Sequence, residues 1–406
     1  MESQFRWYLT ANAAWFASFG VQMTLFPWLV AVALREPASR VGIAWTAMMA
    51  PAIVFMLLGG AVADRADGRR LLIYYHLLAA GPPLALAGVA ATGVLSYPVL
   101  IGYALAAGTL GAFVVPARDA LLTRVVSRQR ERAIAVTSTA QFVFQIVGIA
   151  VAGWASAIGA VSLLAGQAAV CALGALAVSR LRPAPPASGQ PRGESRLRAM
   201  LEGLREAWAS PRIFPVMVGM LAFGVLYGGS FAVILPLIVR DVYGGSSSEL
   251  ALVNTAFWAG TIAATLAQIK AGALRRPGRA VVVSMAGGVL ILGAMAVPAP
   301  LWRFVALCFA WGAGAGVVLN QGRTIVQLET RESHRARALA IFQLGFAGGA
   351  PVGALALGYL VVLVGPRTAA VVPAAAMTIV LAFMITRSGL WRHARRRREV
   401  RRDGGA

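Results

Sequence analysis

The sequence predicts an all-α membrane protein with twelve transmembrane helices in two six-helix halves. Three observations carry that expectation. The 406 residues are 59% hydrophobic, with a mean hydropathy of +0.72, well above the ~45–50% apolar content of soluble domains. Apolar runs of about 20 residues recur from end to end, each long enough to cross a bilayer core of ~30 Å as a helix. The second half of the chain also repeats the first, at an offset of 205 residues.

The runs place spans at 7–34, 41–63, 71–92, 98–117, 133–154, 157–178, 212–239, 250–269, 280–298, 303–321, 338–364 and 368–386. The opening segment, MESQFRWYLT, has neither a basic stretch nor a cleavage site. The first run is therefore read as a retained span, not a signal peptide. The gaps alternate in charge. Of the 37 basic residues, 32 fall in one set of gaps and 5 in the other. Positive charge is retained on the cytoplasmic side, so both termini are expected there and the number of spans must be even.

The halves are predicted as 1–178 and 212–386. Between them, 179–211 starts as a Pro/Gly/Ser-rich linker. It ends with Leu197, Leu201, Leu204 and Trp208 at helical spacing, an amphipathic surface helix. Residues 387–406 form a basic cytoplasmic tail suited to anionic lipid headgroups.

Other classes are disfavoured. The net charge of +22 lies between spans and not on one amphipathic face, so no nucleic-acid partner is expected. Cys171 and Cys308 sit inside apolar runs, which points to small buried hydrophobes. No disulfide, metal centre or cofactor is implied. Facing spans show no His/Asp/Glu cluster or nucleophile–base pair, so no catalytic residue is assigned and an enzyme is not expected. There is no Gly-x-x-x-x-Gly-Lys-Ser/Thr loop, which disfavours an ATP-driven pump.

The repeat is clearest between Pro116 and Tyr359. Arg118, Arg130 and Arg132 match Arg323, Arg335 and Arg337; Gly148 and Gly153 match Gly353 and Gly358. Six spans, a linker and six related spans is the layout of transporters built from parallel repeats. The turn GGAVADRADGRR after the second span carries Gly60, Asp64 and Arg65 in the spacing of a known signature. Asp67 takes the place of a further Gly, and Gly68 follows.

With that turn, the chain resembles the major facilitator superfamily over nearly its whole length. The Asp-Arg-x-Asp-x-Arg-Arg form, PARDALL after the fourth span and EGLREAW before the seventh resemble the branch containing the enterobactin exporter and related bacterial efflux proteins. The resemblance implies the major facilitator fold, with 3+3 inverted repeats within each half. It implies a multi-pass protein of the cytoplasmic (inner) membrane and a monomer. It further implies export of a small amphipathic organic compound, drug-like or siderophore-type, by proton-coupled antiport. Uptake or facilitated diffusion on the same architecture is the alternative. Two departures stand out. In the fifth span, IVGIAVAGW has Ile149 where the efflux signature has Pro, although the repeat copy keeps Pro351. The fourth span carries no charge.

Two sets of site residues follow. Asp64, Arg65, Arg69, Arg70, Arg118, Asp119 and Arg323 lie at the Arg-rich ends of spans and are expected to form a gating latch. In that latch Asp64 would meet a helix N-terminus, Arg118 or Arg323. Polar side chains on apolar helices normally face a bundle interior. Asn12, Trp15, Gln22, Gln141, Gln145, Tyr227, Asn254, Trp258 and Gln343 are thus expected along a substrate path. His76 reads as a packed or interfacial histidine. No acid lies near the centre of a span, which favours a neutral or anionic substrate. If protons couple, the carrier expected is Asp64, Asp119 or Asp241.

Overall fold

The computed structural model describes residues 3–65, 67–125, 130–182, 210, 213–272, 274–330 and 335–386. Among them there are helices and no strands. Twelve long helices follow in order: α1 Ser3–Ala33, α2 Ala38–Arg65, α3 Gly68–Ala91, α4 Tyr97–Val125, α5 Arg130–Ala152, α6 Ala160–Ser179, α7 Phe214–Asp241, α8 Ser247–Ala271, α9 Pro277–Ala296, α10 Leu301–Glu329, α11 Arg335–Val364 and α12 Pro366–Thr386. Eleven are long and apolar enough to cross a membrane, and α5 contributes the shorter apolar stretch Val136–Ala152.

Two boundaries differ from expectation in the same way. α4 and α10 run on to Val125 and Glu329, well past the ends of their apolar runs. Arg118 and Arg323 therefore stand on helical extensions and not in turns. Polar helix formers sustain a helix beyond the hydrocarbon, where water satisfies the charges. The amphipathic segment 197–208 and the tail from Arg387 lie outside the described residues.

The outward surface is apolar. Leu77, Leu84, Leu173, Leu290, Val283, Ile379 and Val372 are exposed on α3, α6, α9 and α12. So much exposed apolar surface is tolerated where lipid covers it. The chain is a multi-pass membrane protein.

Within each half, helices pair at backbone distance. A Cβ on Gly148 (α5) would lie 2.1 Å from the Ala17 carbonyl of α1, and one on Gly20 would lie 2.1 Å from that of Gln145. The repeat reproduces this: a Cβ on Gly353 (α11) would lie 1.8 Å from the Val225 carbonyl of α7. No side chain fits at such spacing, so these pairs pack through small residues, as membrane helices do where backbones touch. α7 carries π-helical turns at Phe223–Gly228 and Ser230–Ile234, and α1 ends in one at Leu29–Ala33. Such wide turns cluster at functional sites.

Candidate functional site: the seams between the two halves

The two halves meet at the Arg-poor end, along two seams that the repeat relates. In the first, α2 lies on α11. A Cβ on Gly42 would come 2.4 Å from the Ala354 carbonyl, and one on Gly358 would come 2.8 Å from that of Ala38. One turn deeper, Thr46 Oγ1 donates to the Pro351 carbonyl at 2.9 Å. In the second seam, α5 lies on α8. A Cβ on Gly153 would meet Ala251 Cβ at 2.8 Å. Ser247 Oγ donates to the Gly153 carbonyl at 2.9 Å, accepts from the Ser156 N–H at 3.0 Å and lies 2.6 Å from Ser156 Oγ. Gly148 and Gly353 thus bind helices within a half, whereas Gly153 and Gly358, five residues on, bind across halves.

A cation adds a clasp. Arg240, at the end of α7, donates from Nη1 to the Ala31 and Glu36 carbonyls at 2.9 and 2.7 Å. Asp241 holds the other edge of the guanidinium, with Nη2 to Oδ2 at 2.9 Å. Asp241, a proton-carrier candidate by sequence, is therefore engaged in an ion pair at the Arg-poor end. Behind it, α8 starts with a capping box from Ser246 and Glu249, which fixes the Ser247 position.

Further in, Asn254 Nδ2 donates to Thr24 Oγ1 at 3.2 Å, α8 to α1. At mid-depth, eleven residues into α8 and roughly 16 Å along it, Trp258 faces Phe142 of α5 with ring centroids 6.4 Å apart. Its indole Nε1 is buried without a partner. Behind Trp258 stands an aromatic cluster that sequence reading did not assemble. Phe257 packs on Phe231 at 4.6 Å and on Trp311 at 5.6 Å. Each ring comes from a different helix, so no single-helix periodicity shows the cluster.

The other path candidates divide. Trp15 and Gln22 line one small cavity inside the N-terminal half, and Gln22 Nε2 lies 3.2 Å from Met48 Sδ. Asn12 is buried, donating to the Thr137 carbonyl at 3.4 Å, while its Oδ1 has no partner. Gln145 is buried with Nε2 3.6 Å from Met23 Sδ; its neighbour on the same helix, Gln141, is half-buried. Tyr227 turns towards α9: its hydroxyl donates to the Met285 carbonyl at 2.6 Å, and its ring packs on Phe223 and Trp311. Gln343 is exposed.

At the Arg-rich end, the described latch candidates hold their own half together. Asp67 is the N-cap of α3, its Oδ1 accepting from the Arg69 N–H at 2.9 Å. That explains Asp67-Gly68 in the signature position: an Asp cap stabilises a helix start. The Arg69 guanidinium donates to the Ser179 carbonyl, the last residue of α6. A cation there meets the negative end of the helix dipole. Arg70 is exposed and 3.8 Å from Asp67, a weak surface pair. Arg118 lies over the Phe16 ring at 4.8 Å, and its carbonyl accepts from the Tyr8 hydroxyl at 3.4 Å. Arg323 is exposed. The side chains of Asp64, Arg65 and Asp119 lie outside the described residues.

Twelve helices in two related halves that close on each other at one end are the geometry of a rocking carrier. Residues 9–332 match the family model described as Major Facilitator Superfamily. The chain belongs to the major facilitator superfamily. Its members are transporters and not enzymes, and the chain is a membrane transporter. It is 26% identical over 341 residues to the enterobactin exporter EntS of Escherichia coli O127:H6, covering 82% of this chain and 79% of that one. It is 28% identical over 365 residues to the multidrug efflux pump Tap of Mycolicibacterium fortuitum, covering 85% and 86%. Among solved structures it resembles the nucleoside transporter NupG, with a TM-score of 0.75 at 14% identity over 97% of this chain and 100% of that one. It also resembles an inward-facing bacterial homolog of the human lysosomal transporter Spinster, with a TM-score of 0.67 at 14% identity over 96% and 97%. Both structural likenesses concern the fold.

Proposed function

We propose that the chain is a secondary active exporter of a small amphipathic organic compound, drug-like or siderophore-type, driven by the proton gradient. The observation that carries this is the pair of seams at the Arg-poor end. They close one face of the path with glycine contacts and a few hydrogen bonds, which can form and break in each cycle. The positive-inside rule places the Arg-rich face in the cytoplasm, so the described conformation is closed towards the outside, as a loading state requires. The path candidates are amides and aromatics without a charged group. That suits neutral or anionic substrates with apolar surface. The similarity to EntS and Tap, both named for export, supports the direction.

The latch at the Arg-rich face belongs to the opposite conformation. There Asp64 would accept hydrogen bonds across the halves, a contact of about 0.3–1 kcal/mol at an exposed helix N-terminus. Inverted membrane vesicles test the direction, using compounds to which the chain confers resistance in an efflux-deficient strain. Export requires accumulation inside the vesicles when the lumen is made acidic. Accumulation only in right-side-out vesicles would establish uptake instead.

A further inference from the structure

One buried titratable group has no place in the mechanism so far. His76, on α3, is 1% exposed and sits roughly 12 Å along the helix from Gly68. It is the only histidine among the described residues. Its ring stands edge-on to Trp15 of α1, with centroids 5.8 Å apart. On its other side α6 provides a notch: a Cβ on Gly174 would lie 2.4 Å from His76 Nδ1. That Nδ1 is buried and makes no hydrogen bond of good geometry, although the imidazole lies against the Cys171 backbone.

A polar seam lies further along the same helices. One and two turns along the same face of α3 are Ala79 and Pro83, and both border a cavity of about 20 Å³. It is also lined by Trp15, Ser18, Gln22, Tyr103, Gln167 and Cys171, and it is large enough for one water. Gln167 is buried, and its Oε1 too lacks a partner. A water there would have the Gln167 amide and the Ser18 and Tyr103 hydroxyls as partners. Trp15 touches both the imidazole and the cavity, so only its indole stands between seam and histidine. Gln22, facing the same cavity, belongs to the candidate substrate path.

We propose that His76 is the proton-binding site of the N-terminal half, supplied through the polar seam between α1, α3, α4 and α6. The proposal deepens the proton-coupled exporter reading and rests on it. An imidazolium in the described packing would be a buried charge with no carboxylate among the described side chains facing it, which is costly. The other groups facing the seam that can ionise are Tyr103 from α4 and Cys171 from α6. α1 presents Trp15, Ser18 and Gln22, which do not titrate. Arg118 of α4 is turned to Phe16, and on α3 itself Asp67, Arg69 and Arg70 sit at the Arg-rich start, below Tyr75. Of these groups, only an imidazole has its unperturbed titration range between pH 5 and 8. Protonation therefore opposes the conformation closed at the Arg-poor end and favours its alternative. A ligand that prefers one state shifts the population towards it. A proton taken up from outside and released inside then moves opposite to the exported compound.

The test uses Ser247→Cys, buried in the α5–α8 seam, and a membrane-impermeant maleimide. Labelling from the Arg-poor side, expressed throughout relative to the same cysteine in unfolded protein at each pH so that the thiolate's own titration cancels, should rise about tenfold as the pH falls from 8 to 5, across the histidine range, and the rise should vanish in His76→Gln. The same rise in His76→Gln, or labelling that ignores pH in both, would overturn the proposal. A second measurement leaves His76 intact. With His334→Gln and His393→Gln, it is the sole imidazole, and its 13C resonance in micelles should titrate with the midpoint of the labelling. A resonance constant from pH 5 to 8 overturns the proposal even if His76→Gln fails to fold. Ser247→Cys that never reacts while the resonance titrates would count against alternating access and not against the proton site.

Discussion

Gly42 is where the closed end is most exposed to a small change. Its Cα faces the Ala354 carbonyl so closely that a Cβ would lie at 2.4 Å, against an ordinary contact beginning at 3.4 Å. The obstacle is backbone, which cannot rotate aside, so α2 and α11 must separate by about 1 Å to admit even alanine. Overpacking a fitted contact costs about 1–3 kcal/mol. That cost falls on the conformation closed at the Arg-poor end and is absent once α2 and α11 part. At ~1.4 kcal/mol per tenfold, Gly42→Leu should raise the open fraction by roughly 5- to 150-fold. The assay is the labelling rate of Ser247→Cys from the Arg-poor side, compared with and without Gly42→Leu at equal membrane abundance. Ser247 lies in the other seam, so a faster rate reports movement of the whole half and not local damage. An unchanged rate would refute the idea that these two seams open together.

Three further outcomes are expected. Arg240→Gln removes charge-assisted bonds to Ala31 and Glu36, each worth about 1.5–3 kcal/mol, and should speed the same labelling at least about tenfold. Gly148→Val strikes inside a half, where a Cβ would meet Ala17 at 2.1 Å. It should lower the melting temperature and yield in detergent without a selective change in labelling. Asp64→Asn weakens the proposed latch of the opposite conformation and should act in the reverse direction. Labelling of Ser247→Cys would slow by a few-fold, for a contact of about 0.3–1 kcal/mol, and efflux would fall at equal abundance.

The spans were legible because a bilayer imposes length and hydropathy on each helix separately. The extensions of α4 and α10 were not, since Arg118 and Arg323 look alike in a solvated turn and on a helix projecting into water. Repeated Gly148/Gly353 and Gly153/Gly358 were visible as a pattern. Their division into within-half and cross-half contacts depends on which helix lies opposite, and no single-helix pattern encodes that. For the same reason Ser156, Ser247 and Arg240 passed unnoticed as gate residues. Tyr227 looked like a path residue, yet its hydroxyl is spent on the Met285 carbonyl. A polar side chain on an apolar helix announces a buried partner without saying which one. His76 shows the same limit from the other side: the sequence placed it in a span, but Trp15 and Gly174 were needed to make it a site.

The most direct test locks the Arg-poor end. Ser156 and Ser247 hydroxyls lie 2.6 Å apart across the two halves, close enough for cysteines at these positions to be joined, whereas native Cys171 and Cys308 are buried. In Ser156→Cys/Ser247→Cys, oxidation should abolish efflux of a compound to which the chain confers resistance, and reduction should restore it. Undiminished efflux with the crosslink formed would contradict alternating access through this gate.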